Sequence, residues 1–300
     1  MKRRTLDVSF MAFLLAGIVC IGIGSAAPDM VVGLEEEEPE LVSPLEKKLY
    51  AHPATGEELT ELKKDLDEAL KKLEINPEDP ENIIMYGRRL AYLWRYTEAI
   101  GVYTKGIARY PENAMLYRHR GHRYISMRQY DKAVTDLTKA SQLNDHDFDI
   151  WYHLGLAHYL RGEFDRALHA YRECLAASED DDSKLAISNW LYITLRRLGK
   201  KEEAEQVLEG ISSGMEVVEN QSYYSLLNLY QGTKSEDEVE KEASASALDL
   251  ATSGYGIGAW YLYNGKRDKA KQIFEKIVNT DYWPAFGYIA AEAELVRMSK

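Results

Sequence analysis

The stretch YRHRGHRYISMRQYDKA, residues 117–133, belongs to a pattern that repeats along the chain. Rows that begin at Pro80, Ala114 and Phe148 align with a constant step of 34 residues. The aligned rows share a glycine column, an aromatic column and an alanine column: Gly87, Gly121 and Gly155; Tyr96, Tyr130 and Phe164; Ala99, Ala133 and Ala167. A fixed period of this length indicates a protein built by repeating one supersecondary unit.

The spacing within a row predicts two helices joined by a short turn. The column glycine lies in the middle of the first helix, where glycine costs about 1 kcal/mol relative to alanine. Such a cost is tolerated where a neighbouring helix must approach closely, and the column alanine serves the same purpose on the second helix. The aromatic residue three positions before the alanine fills the space at the turn. Each row is therefore predicted to be a helical hairpin that stacks on its neighbours.

The rows resemble tetratricopeptide repeats (TPRs). In the second row the resemblance is carried by Gly121, Tyr124, Tyr130 and Ala133, with Pro111 as the closing proline. Later residues fit the same signature, with a fourth repeat at Tyr192, Gly199, Ala204 and Leu208, a degenerate fifth at 223–250, and a sixth at Gly258, Tyr261, Gly265, Ala270 and Phe274. The resemblance implies an all-α fold, an α-solenoid (superhelix) of about six helix-turn-helix hairpins with a capping helix at 284–298.

The chain before the repeats divides into segments of different composition. Residues 1–26 combine a basic start, an apolar run and small residues at the end, which predicts a signal peptide. Residues 27–54 are acidic and contain prolines, which predicts a flexible linker. From 55 onward, leucines at steps of three and four predict an extra N-terminal helix that is closed by Asn76-Pro77. This helix and the repeats form the predicted TPR solenoid domain, 55–300.

The signal peptide predicts export, so the expected location is periplasmic or secreted. An uncleaved N-terminal segment that anchors the chain in a membrane is one alternative, and lipidation at Cys20 is another. If Cys20 leaves with the signal, Cys174 remains alone and no internal disulfide is expected. The chain also resembles uncharacterised exported TPR proteins of Gram-negative bacteria.

The sequence contains no motif that we interpret as catalytic, phosphate-binding or metal-binding. The glycine-rich stretch GYGIG at 254–258 follows no predicted strand, so helix packing explains it. His119 and His122 form an HxxH pair, but a third ligand at bonding distance is not expected. The acidic run 180–182 lacks the glycine of a calcium loop and is interpreted as a solvated loop. We therefore expect a non-enzymatic protein without a cofactor.

Basic residues concentrate between 86 and 132, with ten Lys and Arg against three Asp and Glu, in a chain of net charge −12. The overall acidity argues against nucleic acid as a partner. The TPR resemblance implies that certain first-helix positions line a concave groove, and at these positions the chain carries Arg88, Tyr92, Arg118, His122, Tyr152 and Tyr159. This set predicts a groove that binds a peptide segment of a partner protein, one with an acidic group or a free C-terminus.

Three alternatives use the same region. A small molecule or a metal ion would bind in the groove beside His122 and His153. Self-assembly would pack the groove or the cap against a second copy, and the sequence sets no oligomeric state. The acidic segment 35–40 would occupy the basic groove of its own chain. Membrane contact is expected only if the N-terminal segment stays uncleaved.

Overall fold

The computed structural model describes residues 38–51 and 55–300 of the chain. Within these residues it contains one antiparallel hairpin, β1 (Leu41–Val42) and β2 (Lys48–Leu49), and fourteen helices. The helices are α1 (Gly56–Ile75), α2 (Pro80–Tyr92), α3 (Tyr96–Arg109), α4 (Ala114–Ser126), α5 (Tyr130–Leu143), α6 (Phe148–Arg161), α7 (Phe164–Ala176), α8 (Asp181–Arg197), α9 (Lys201–Glu209), α10 (Gln221–Gln231), α11 (Glu236–Ala243), α12 (Ala247–Tyr263), α13 (Arg267–Ile277) and α14 (Phe286–Met298). None of the described helices has both the length and the apolar character that a membrane span requires. The predicted signal peptide, 1–26, lies outside the described residues.

The structure confirms the predicted all-α solenoid. Six hairpins follow one another, α2–α3, α4–α5, α6–α7, α8–α9, α10–α11 and α12–α13, with α1 before them and α14 after them. The second helix of each hairpin also packs on the first helix of the next hairpin. α2, α4 and α6 begin at the three row starts, because a polar side chain caps each of them: Asp79, Asn113 and Asp147. Each cap accepts a backbone N–H that the helix itself leaves unpaired, so the caps help to set the register of the repeats.

The column glycines make room for a large side chain of the second helix in the same repeat. A Cβ atom added to Gly155 would overlap the ring of Tyr171, and one added to Gly121 would overlap Leu137. The predicted close approach is therefore real, but a side chain rather than the backbone of the second helix makes it. The cost of a mid-helix glycine is offset by the burial of these large side chains.

Residues 38–51 differ from the flexible linker that was predicted for 27–54. β1 and β2 form a hairpin that docks on the connection between α13 and α14. Lys47 Nζ donates a hydrogen bond to the carbonyl oxygen of Val278 (2.5 Å). Trp283 Nε1 donates one to the carbonyl oxygen of Tyr50, the residue that follows β2 (2.8 Å). These long-range contacts order a segment that composition alone assigns to a linker. The remainder of the predicted linker lies outside the described residues.

The acidic run 180–182 is ordered, in contrast to the predicted solvated loop. The side chain of Asp180 caps α8 by accepting a hydrogen bond from the backbone N–H of Ser183 (2.7 Å). The carboxylate of Asp182 accepts backbone N–H groups of residues 218–220. Negative charge in the first turn of a helix is also favoured by the helix dipole. The run therefore starts the fourth repeat and ties it to the loop before α10.

First helices that are two and three repeats apart touch in the second half of the solenoid. Tyr255 of α12 donates a hydrogen bond to the hydroxyl oxygen of Tyr159 of α6 (2.7 Å). The ring of Tyr255 also stacks on Trp190 of α8, with 5.5 Å between the centroids. α14 then packs on α12, α13 and α6. The inner faces of these helices consequently meet in an aromatic core instead of facing solvent.

Candidate partner-binding groove

The six predicted groove residues lie on the first helices of the first three repeats. They are Arg88 and Tyr92 on α2, Arg118 and His122 on α4, and Tyr152 and Tyr159 on α6. α2 packs on α4 and α4 packs on α6, so the three helices form one continuous inner face. What the face can bind depends on how much of it the rest of the chain leaves open.

α14 covers part of this inner face. The ring of Phe286, in the first turn of α14, lies 5.1 Å from the ring of His122 and 5.5 Å from the ring of His153. Near the other end of α14, Arg297 donates a hydrogen bond to the carbonyl oxygen of Tyr159 (3.0 Å). The C-terminal helix was predicted as a cap on the last repeat. It also folds back onto the second and third repeats.

Two buried ion pairs hold α14 in this position. Arg128 pairs with Glu292 at 2.8 Å, and the two side chains are 4% and 1% exposed. Arg197 pairs with Glu294 at 2.8 Å, with the glutamate side chain 2% exposed. Removing one partner of a buried pair leaves an uncompensated charge, which is strongly destabilising. The pairs therefore couple the second and fourth repeats to the C-terminal helix.

The turn of each of the first three repeats contains a residue with left-handed backbone. Trp94 (φ 56°), Arg128 (φ 57°) and Gly162 (φ 82°) occupy the same column of the rows. A residue other than glycine costs about 1–2 kcal/mol in this conformation. Trp94 offsets the strain by packing edge-on against Trp283 at 5.6 Å, and Arg128 does so through Glu292. Trp94 and Arg128 in this column were a sequence signal, missed above, that α14 and the segment before it cover the inner face.

Tyr152 and Tyr159 differ from the prediction, because they do not line an open groove. Their exposed fractions are 8% and 1%. Trp190 Nε1 donates a hydrogen bond to the hydroxyl oxygen of Tyr152 (2.8 Å), and Tyr159 accepts one from Tyr255. Burial raises the pKa of Tyr159 to about 12 and holds the pKa of Tyr152 well above its usual range. Both hydroxyl groups serve the internal aromatic core.

At the part of the face that α14 leaves uncovered, we define a cationic patch as Arg88, Tyr92, Arg118 and Arg123, in which the side chain of Arg118 is only 12% exposed. Arg88 Nη2 donates a hydrogen bond to the hydroxyl oxygen of Tyr92 (3.1 Å), and Tyr92 is 42% exposed. The guanidinium of Arg123 lies 5.3 Å from the ring centroid of Tyr96. Stacking on an aromatic ring holds a guanidinium in place while leaving its N–H groups available.

The cationic patch has more positive charge than the described residues neutralise. Arg118 forms an ion pair with Asp149 at 2.5 Å. Within residues 38–51 and 55–300, no ion pair to a carboxylate is formed by Arg88 or Arg123, and Nε of Arg118 is buried without a hydrogen-bond partner. Burial lowers the pKa of Arg118, and the positive charges of Arg123 and Arg88 lower it further. The charge of Asp149 acts in the opposite direction. The patch is thus suited to an additional anion.

The histidines of the face form a packing contact. The ring centroids of His122 and His153 are 4.3 Å apart. Burial, assisted by nearby arginines, holds the pKa of both rings well below the usual range, so both are neutral. In the part of the chain that the structure describes, no three His, Cys, Asp or Glu side chains stand close enough to hold a metal ion.

Family models match the chain in two places, each described as "Tetratricopeptide repeat", at residues 118–182 and 253–281. The chain is similar to small glutamine-rich tetratricopeptide repeat-containing protein 2 of Saccharomyces cerevisiae, with 34% identity over 119 residues that cover 37% of this chain and 34% of that protein. It is also similar to tetratricopeptide repeat protein 13 of Homo sapiens, with 30% identity over 146 residues that cover 48% of this chain and 17% of that protein. The matches span about a third or less of these relatives' own lengths.

One similar solved structure is that of YrrB, a TPR protein with an unusual peptide-binding site. It aligns with a TM-score of 0.44 and 18% identity, covering 76% of this chain and 97% of that chain. The two family matches fall on the segments where α4 to α7 and α12 to α13 form, which are also segments where the repeat columns are clear. A TPR scaffold is consistent with a role as a protein-interaction adaptor. Residues 118–182 and 253–281 of this chain thus match tetratricopeptide repeats, within the described solenoid of helical hairpins.

Proposed function

We propose that the chain is a non-enzymatic interaction scaffold whose cationic patch binds an acidic segment, or a free C-terminus, of a partner protein. The observation that carries this proposal is the positive charge of the patch. Three arginines, Arg88, Arg118 and Arg123, lie there, and among the described residues Asp149 is the carboxylate that pairs with one of them. Carboxylates form strong, charge-assisted hydrogen bonds with guanidinium groups. The exposed ring of Tyr92 adds an apolar contact beside them.

The covering helix limits what the patch accommodates. α14 covers the inner face from His122 onward, where Phe286 lies against the ring. The open part is therefore confined to α2 and the neighbouring surface of α4. A short segment fits there, whereas a segment that runs across three repeats would have to displace Phe286. We therefore propose recognition of a short motif rather than of a long extended peptide.

We further propose that this binding takes place after export, in the periplasm or outside the cell. The basic start, apolar run and small-residue exit of residues 1–26 support export. Sequencing the N-terminus of the protein purified from its native cells tests this proposal. A mature chain that begins near residue 27 is the expected result, and an intact residue 1 in a membrane fraction would favour the anchored alternative.

The binding proposal is tested with a labelled acidic peptide that has a free C-terminus, followed by fluorescence anisotropy. Arg88→Glu reverses a charge of the patch, and Lys105→Glu reverses one at an exposed position on α3. The two variants have the same net charge, so long-range electrostatics affects them similarly. We expect Arg88→Glu to weaken binding about tenfold, equivalent to about 1.4 kcal/mol, and Lys105→Glu to have little effect.

Arg123→Glu provides a second variant at the patch, with a melting curve to show that the solenoid still folds. Arg118 is left intact because its side chain is largely buried beside Asp149. An amidated peptide and a lysine-containing peptide of the same length serve as probes for charge. If Arg88→Glu and Lys105→Glu bind the acidic peptide equally well, or if the lysine-containing peptide binds as tightly as the acidic one, the patch is not the site of recognition.

A further inference from the structure

A trough opens between α11 and α13, with α12 as its floor. Its volume is about 660 Å³, which lies within the range of roughly 300–1,000 Å³ for ligand pockets. Leu250, Gly254 and Ile257 lie along one face of α12 and line the floor, and Ile273 of α13 lines a wall. Leu250 and Ile273 are partly exposed, so the trough presents apolar atoms to solvent.

The trough is open because α11 is short. α11 ends at Ala243, and residues 244–246 only make the turn into α12. α9 is also short, but residues 210–220 follow it and run along α10, where Ile211 is buried and its carbonyl oxygen accepts a hydrogen bond from Gln231 (3.0 Å). A comparable segment does not follow α11. A face of α12 that a longer second helix would cover is left uncovered in the described chain.

The rim of the trough carries available positive charge. Lys269 and Lys276 lie two turns apart on the side of α13 that lines the trough, about 10 Å along the helix axis. Lys269 pairs with Glu236 at 3.8 Å, whereas Lys276 is exposed and forms no ion pair with another described residue. On the opposite wall, the hydroxyl of Tyr261 donates a hydrogen bond to Glu236 at 2.6 Å and lies 3.0 Å from Glu240, so the two acidic side chains share a single donor.

We propose that the trough is a second binding site, one that takes an amphipathic helix of a partner protein. Apolar side chains of that helix would contact Leu250 and Ile273, and an acidic residue beside them would pair with Lys276. An apolar floor with charge on one rim complements an amphipathic helix, whose residues at i, i+3, i+4 and i+7 share one face. This site is built by the fifth and sixth repeats, and it is independent of the cationic patch on α2 and α4.

The test uses the full chain and a labelled helical probe peptide with leucines on one face and one glutamate beside them. Gln272→Trp fills the trough from an exposed position on α13, and Glu275→Trp is its control, exposed on the same helix outside the trough. Lys276→Glu and Lys271→Glu are a matched pair for charge. We expect Gln272→Trp and Lys276→Glu to weaken probe binding about tenfold, and both controls to stay within about twofold of the parent chain.

Several outcomes would overturn the proposal. One is equal affinity in all four variants, and another is equal affinity for a probe in which a lysine replaces the glutamate. Binding of dodecanoate that Gln272→Trp abolishes, without binding of the peptide, would make the occupant a small amphipathic acid. A concentration-dependent dimer that Gln272→Trp abolishes would make the occupant a second copy of the chain. All substituted positions are exposed, so melting curves should match that of the parent chain.

Discussion

Replacing Arg128 by glycine tests whether the buried contacts of α14 close the inner face. Arg128 Nε lies 2.8 Å from a carboxylate oxygen of Glu292, and both side chains are nearly inaccessible to solvent. The other carboxylate oxygen of Glu292 is buried without a hydrogen-bond partner among the described residues. Loss of the arginine would therefore leave a buried, unpaired negative charge. The same substitution removes the backbone strain of a left-handed arginine.

The two effects have opposite signs and different sizes. Removing one partner of a buried ion pair costs about 3–5 kcal/mol. Placing glycine at a left-handed position recovers about 1–2 kcal/mol. We therefore expect Arg128→Gly to lower the free energy of unfolding by about 1–4 kcal/mol. Adding Glu292→Gln removes the stranded charge and should restore about 1–2 kcal/mol of this loss.

Urea unfolding followed by circular dichroism measures these differences, and hydrogen exchange of α14 shows whether that helix is released first. Gly199→Ala calibrates the strain, because Gly199 is left-handed (φ 73°) and an added Cβ would contact nothing within 4 Å. Gly199→Ala should lower the free energy of unfolding by about 1 kcal/mol. If Arg128→Gly is as stable as the parent chain, or if the exchange of α14 is unchanged, the buried pair does not hold the helix and the reasoning is wrong.

Two other predictions concern the stability of the chain at low pH and the packing of α14 on α12. Burial lowers the pKa of His119 to about 2, with Arg118 adding to the effect, so the folded chain keeps this ring neutral while the unfolded chain protonates it below about pH 6.5. Because the unfolded state then binds more protons, stability should fall as the pH drops from about 7 to about 5. The urea unfolding midpoint should drop less over this range in His119→Gln than in the exposed control His169→Gln. Gly287→Ala places a Cβ against the backbone of Ala251, so it should weaken the packing of α14 on α12 and lower the melting temperature, whereas Gly101→Ala, where an added Cβ meets nothing within 4 Å, should not. An unchanged melting temperature in Gly287→Ala would contradict the described contact.

The repeat columns predicted the local structure well, because they record contacts between residues close in sequence. Pro80 and Ala114 mark helix starts, and Gly121 and Gly155 mark positions where a side chain of the next helix packs. The candidate site was predicted less completely. Arg88 stays at the surface, whereas Tyr159 is buried by helices from the sixth repeat and the C-terminus. The family pattern assigns each first helix to the groove, but it carries no information on which parts of the same chain return to cover it.

The sequence by itself determined the repeat unit, the number of hairpins and the concentration of positive charge in the first two repeats, since these follow from spacing and composition over short distances. Only the tertiary structure decided that α14 lies on the inner face, that residues 38–51 dock on the connection before it, and that α11 leaves a trough beside α12. These features depend on pairs such as Arg128 and Glu292, which are 164 residues apart in the chain. Such a contact depends on the superhelical path of the intervening repeats, and no local pattern encodes that path.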